Sequence, residues 1–144
     1  MMLSRHFSLA EMTVSRTAAR MGMNNTPGPE EMANLRRLAE SLEKVRAWLY
    51  KPVIVLSGYR CPALNTAVGG ADNSAHMRGL AADIICPAYG KVIDVFEAVR
   101  RSGIIYDQLI AERPGDNGWI HIGLADHARR RALIFDGKRY TEVT

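Results

Sequence analysis

The spacing of apolar residues changes once along this chain, and that change decides the fold class. Up to residue 49 apolar positions recur at threes and fours. Leu35, Leu38, Leu42, Val45 and Leu49 make one stripe, as a helix with a core-facing side requires. Beyond residue 50 they gather into short runs at 52–56, 79–85, 108–111, 119–122 and 132–135. Runs of that length, several of them β-branched, read as strands. One helical interval, 89–101, interrupts them. Helices first and strands mostly later predict an α+β fold, with N-terminal helices packed on a mostly antiparallel sheet. The expected organisation is one domain over 1–144, helical in 1–50 and sheet-rich in 51–144.

Local signals fix the boundaries. Residues 7–23 read as a helix in which Ser8 and Glu11 form a capping box. Asn24-Asn25-Thr26-Pro27-Gly28-Pro29 breaks it. A longer helix follows at 29–49, with Pro29 in the first turn and Glu30 and Glu31 at the positive end of its dipole. The run 52–56 reads as a buried strand. Residues 61–75 are loop-rich, with a turn of helix near 63–68, and Gly103 stops the helix at 89–101. The turn-forming stretch Arg113-Pro114-Gly115-Asp116-Asn117-Gly118 joins 108–111 and 119–122 into an antiparallel hairpin. Two further strands, 132–135 and 139–143, flank a turn at Asp136-Gly137. Six of the seven methionines fall before residue 33 and read as helix packing.

Composition removes several classes. With 47% hydrophobic and 24% charged residues in 144, the chain is neither disordered nor collagen-like. Two cysteines, Cys61 and Cys86, make no disulfide framework. No apolar run approaches the ~20 residues of a membrane span, so no membrane insertion is expected. The first residues lack the continuous apolar stretch of a signal peptide, so synthesis in the cytoplasm is the expectation. The net charge of +4 is mild. The basic run Arg129-Arg130-Arg131 reads as solvated surface, and no nucleic-acid partner is expected. A nucleic-acid binder using that run is a third and weaker reading of function.

Chemistry concentrates in two places. His76 leaves a loop in Ser74-Ala75-His76-Met77-Arg78-Gly79, and Asp83 follows on the next strand. His121 lies within another strand, after Trp119. Two imidazoles and one carboxylate make a three-ligand zinc site with a fourth position open. The same spacing also suits a structural histidine. His127, beside Asp126, reads as exposed, and His6 could cover a cleft from the N-terminal segment.

The segments Ser57-Gly58-Tyr59-Arg60, Asn65, Val68-Gly69-Gly70 and Ser74-Ala75-His76-Met77-Arg78-Gly79-Leu80-Ala81-Ala82-Asp83, then Trp119-Ile120-His121, resemble the zinc D-Ala-D-Ala carboxypeptidases and related peptidoglycan peptidases of family M15. Phe7-Ser8-Leu9-Ala10-Glu11-Met12 and Asn25-Thr26-Pro27 resemble its small phage and prophage members. The resemblance implies a Hedgehog/DD-peptidase-like domain and one catalytic zinc ion held by His76, Asp83 and His121. It implies that Arg60 contacts substrate and steadies negative charge. Ser74 is expected to position a ligand or the substrate backbone, or equally to cap its loop, and Gln108, with Asp107, to line the cleft or serve the hairpin edge. Tyr59 is expected to pack.

One position departs from the pattern. Many members carry an acid three residues before the last histidine ligand, and here that residue is Gly118. Two carboxylates remain as the general base, Glu112 at a strand end and Asp116 in the turn. Glu112 could alternatively pair with Arg113 or another cation. The implied activity is a peptidase, acting as a monomer, that cuts peptidoglycan stem peptides or cross-links as a carboxypeptidase or endopeptidase. A phage lysis enzyme reaching the wall after release fits that expectation. The alternative is a non-catalytic zinc-binding structural or interaction protein of the same fold, which Gly118 favours.

Overall fold

A computed structural model describes residues 1–144. Helix α1 (Leu9–Thr13) begins at the expected capping box: Ser8 Oγ accepts from the Glu11 amide at 3.1 Å, and Glu11 Oε1 accepts from the Ser8 amide at 2.9 Å. The expected helix over 7–23 is not continuous. Val14 is extended, and Ser15 caps a second helix, α2 (Arg16–Arg20), by accepting from the Ala18 amide at 3.1 Å. A β-branched residue followed by a serine that bonds its own backbone competes with helix continuation at that point. Helix α3 (Pro29–Leu49) matches its expected limits and ends at Tyr50, which is left-handed at φ 59°. All five residues of its apolar stripe are buried.

The remaining elements are β1 (Ile54–Ser57), α4 (Pro62–Ala67), a 3₁₀ turn at Ala75–Arg78, β2 (Ala81–Ile85), α5 (Val92–Arg100), β3 (Gln108–Glu112), β4 (Trp119–Gly123), β5 (Arg131–Phe135) and β6 (Tyr140–Val143). The strands form one mixed sheet in the order β1-β2-β4-β3-β5-β6. Only β3 and β5 run parallel, and every other neighbouring pair is antiparallel. β1 is an edge strand rather than the buried strand expected at 52–56. Ile54 and Leu56 are 46% and 48% exposed, because they alternate with Val55, which packs on the core.

Strand side chains alternate between the two faces of the sheet. Ala82, Ile84, Leu109, Ala111, Ile120 and Ile122 join α3 and α5 in the apolar core. The intervening residues Asp83, Ile110, Glu112 and His121 therefore fall on the opposite, open face. The methionines divide: Met12 is fully buried and Met32 packs on the core, whereas Met1, Met2 and Met21 are exposed. No helix is long and apolar enough to cross a membrane.

Candidate metal centre

Pairing register builds the centre. Asp83 on β2 lies opposite His121 on β4, and Ile110 on β3 lies opposite the same histidine. His76 arrives from the 3₁₀ turn. Ser74 Oγ accepts from the His76 amide at 3.2 Å and caps that turn. Gly79 closes it at φ 74°, where a Cβ would lie 2.6 Å from the Glu31 carbonyl oxygen. A residue other than glycine would meet both a backbone strain and a clash there.

Asp83 Oδ1 lies 3.3 Å from His76 Nε2 and 3.1 Å from His121 Nδ1. One ligand atom from each of the three residues falls within 4.8 Å of the others. A tetrahedral ion with bonds of ~2.0–2.1 Å holds its ligand atoms ~3.3 Å apart, so this spacing fits a metal. The tautomer fits as well. His76 Nδ1–H donates to the Gly58 carbonyl at 2.7 Å, which leaves Nε2 as the ring atom that faces Asp83. Such a bond orients an imidazole for coordination. Gly58 is itself pressed against α1: the Tyr59 amide donates to the Met12 carbonyl at 2.7 Å, and a Cβ on Gly58 would collide with that same carbonyl oxygen. His76 and Asp83 are 3% and 7% exposed. Burial opposes the Asp83 charge, but hydrogen bonds from His121 and His76 and their charges hold its carboxyl far below the usual carboxylate range.

Arg60 closes one side. Its Nη2 lies 3.4 Å from Asp83 Oδ2, its Nη1 donates to Asn65 Oδ1 at 3.2 Å, and its Nε donates to Ser57 Oγ at 3.3 Å. Three of the five guanidinium N–H donors are engaged, so two remain. Asn65 is buried, and its Nδ2 donates to the Ala71 carbonyl at 2.8 Å. It therefore anchors Arg60, a role the sequence alone did not suggest.

Glu112 lies in the cleft over the same open face. Its Oε2 accepts from Trp119 Nε1 at 2.9 Å, a contact that the register of β3 against β4 makes direct. Burial first, and then the Asp83 charge, push its carboxyl above the ordinary range. The considered ion pair with Arg113 does not form: Arg113 is left-handed at φ 49° and belongs to the turn, its amide donating to the Phe135 carbonyl at 2.7 Å. Asp116 is exposed in that turn and does not line the cleft. Gly118 is buried where the chain folds back on itself. A Cβ there would coincide with the carbonyl oxygens of Glu112 and Arg113, which leaves no room for an acid.

The cleft has a volume of about 660 Å³. Ser74, Gln108 and Asp107 line it, as do three residues whose place in the cleft the sequence did not suggest: Arg78, Arg129 and Tyr140. Asp107 is tied to Arg129, which donates through Nε at 2.9 Å and Nη2 at 2.8 Å. Arg131 pairs with Glu142 at 2.7 Å, so two members of the basic run are already neutralised by acids. Tyr140 stacks on Phe135 with ring centroids 4.5 Å apart. Burial and the Glu112 charge raise its phenol. The β5–β6 pairing brings Tyr140 to the cleft, and no short-range pattern announces that placement. His6 does not cover the cleft, because its Nδ1 is 2.7 Å from Glu43 Oε1 on α3. His127 is exposed, and Tyr59 is buried in the core.

A family model described as Peptidase M15 matches residues 5–123. No curated protein matches the chain. The family match takes in His76, Asp83, His121, Arg60 and Glu112, with the four strands that align them, and stops before β5 and β6. On that match the chain belongs to the M15 peptidases, a metal-dependent family whose expected ion the His76–Asp83–His121 set could hold.

Proposed function

We propose that this protein is a zinc peptidase that hydrolyses peptide bonds in peptidoglycan stem peptides or their cross-links. In this reading residues 1–144 are one Hedgehog/DD-peptidase-type domain, working as a monomer. The observation that carries it is the placing of Glu112 in the same cleft as three ligand atoms that lie within 4.8 Å of one another. His76, Asp83 and His121 would hold zinc, which when bound supplies a Lewis acid that polarises a carbonyl and acidifies a water.

The chain's own residues do the rest. Glu112, held by Trp119, takes the proton of the attacking water and returns it to the leaving amine. Arg60 presents its two free N–H donors to the negative charge that grows on the carbonyl oxygen. Asn65, Ser57 and Asp83 fix the guanidinium plane beforehand, so little reorganisation accompanies the reaction. Ser74 and Gln108 line the cleft within reach of the substrate backbone. Asp116, out on the turn, takes no part in this reading.

The test is mass spectrometry of defined wall fragments incubated with zinc-loaded protein, beside a chelator-treated control. Chelator-sensitive cleavage is expected, and the product masses name the bond and so separate carboxypeptidase from endopeptidase. The reading is overturned if tetrapeptide stems, pentapeptide stems and cross-linked dimers all survive a sample whose zinc content is confirmed. Gly118 favours a second reading, a zinc-binding interaction protein without catalysis. That reading expects the same zinc content with no turnover. A phage lysis role corresponds to cleavage of intact wall when the protein is added from outside.

A further inference from the structure

The metal cleft does not end at Arg60. A second groove of about 540 Å³ begins on the far side of the guanidinium and follows β1. Arg60 and Val68 line both spaces, so the two adjoin across these side chains. Val14, Leu56 and Leu64 supply apolar walls, and the only charged residues are Arg16 and Arg60. No carboxylate lines the groove. β1 is the outermost strand, so one side of its backbone is unpaired. Its ladder with β2 shifts register between Val55 and Ser57, which leaves Leu56 without a cross-strand partner. Val14, Leu56 and Val68 are all exposed, a run of bare aliphatic surface in line with the catalytic cleft.

We infer that this groove binds the continuation of the peptide substrate beyond the scissile residues, as an extended segment carrying a free carboxylate. This rests on the peptidase reading above. Three properties of the groove select that occupant. An open strand edge offers N–H and C=O groups to an extended chain, which is strand addition. Arg16 makes no ion pair and no acid lines the groove, so this exposed cation selects a carboxylate over an ammonium group. Leu56 and Val68 offer small aliphatic side chains an apolar floor. Arg60 would then act at the junction, facing the scissile carbonyl on one side and the bound extension on the other. A dipeptide would occupy the metal cleft alone, and a longer acidic peptide would fill both spaces.

The experiment compares three probes on the zinc-loaded full chain: D-alanyl-D-alanine, a stem pentapeptide with its free side carboxylate, and the same pentapeptide with that carboxylate amidated. Affinity is read by calorimetry and cleavage by mass spectrometry. Amidation is expected to weaken pentapeptide binding about tenfold. Arg16→Glu is expected to weaken the free-carboxylate peptide by a similar factor, to affect the amidated peptide little, and to leave the dipeptide unchanged. Arg16 is exposed, and an unchanged melting temperature confirms that the variant folds. Leu56→Ser is a second variant, expected to weaken both pentapeptides about threefold. Pentapeptide affinity that ignores both amidation and Arg16→Glu overturns the groove, even if cleavage is normal. Affinity that follows both while nothing is cleaved supports the groove and overturns the peptidase reading instead.

Discussion

Gly118 and Glu112 together explain how the centre is furnished with an acid. The backbone passes so close to the Glu112 and Arg113 carbonyls that position 118 has no space for a side chain. Glu112, six residues earlier, supplies a carboxylate from the neighbouring strand and is steadied by Trp119. Gly118→Glu is therefore expected to lower stability by on the order of 3 kcal/mol through overpacking, with no gain in turnover. A melting curve and a turnover number for the variant check both halves. Glu112→Gln preserves shape but cannot take a proton, so kcat should fall about 10²–10⁴-fold with metal content unchanged by elemental analysis. Full turnover in that variant would remove Glu112 from the reaction. That His76, Asp83, His121 and Arg60 would share a site was legible through the family resemblance, because the spacing alone also suits a structural histidine. Their supports were not. Trp119 to Glu112 and Asn65 to Arg60 are contacts that only the register of β3 on β4 and the turn into α4 bring about.

Among the elements, the N-terminal segment is fastened to α3 by one carboxylate. Ser4 Oγ and the His6 amide donate to Glu43 Oε2 at 2.6 and 2.7 Å, and His6 Nδ1 meets Oε1 at 2.7 Å. Burial disfavours the Glu43 charge, but the Ser4 and His6 hydrogen bonds outweigh it and hold the carboxyl below its ordinary value. A group whose folded pKa is lowered stabilises the fold above its unfolded pKa, ~4.3 for glutamate. That contribution fades as pH falls through the folded value, because the unfolded chain binds the proton first. Glu43→Gln should thus melt below the parent at pH 7, and the gap should close as melts are repeated toward pH 3. A gap independent of pH would show that the carboxylate charge does not hold this segment. The capping box of α1 and the limits of α3 were readable from local residues. The break at Val14 was less so, because Ser15 capping the next turn competes with continuation and spacing alone does not rank the two.

Across the whole molecule, three distant stretches converge on one candidate metal centre. Asp83 and His121 are 38 residues apart in sequence but on neighbouring strands, and an unfolded chain does not hold them together. An ion that binds only the folded form at about a thousand times its Kd adds ~4 kcal/mol of stability. For a chain of this size that is ~10 °C in Tm. Chelation of the metal-loaded protein should lower Tm by about that amount, and His121→Ala should melt at one temperature with or without chelator. The hairpin β3–β4 was legible because its strands are joined by a short, turn-rich stretch. The sheet order was not, since β4 inserts between β2 and β3 and β5 returns parallel to β3. Those pairings join segments with no local signal between them, and they also bring Tyr140 into the cleft.

The Gly58 carbonyl gives this architecture a kinetic character. It holds the His76 ring from behind, while the Gly58–Tyr59 backbone rests against Met12 of α1. Release of His76 from a bound ion would strain or break the His76–Gly58 hydrogen bond, whose acceptor is backed by α1. Lifting of the N-terminal segment, a local opening, would loosen that backing and is expected to speed metal exchange. Off-rates in excess chelator would rise with how often α1 leaves its seat.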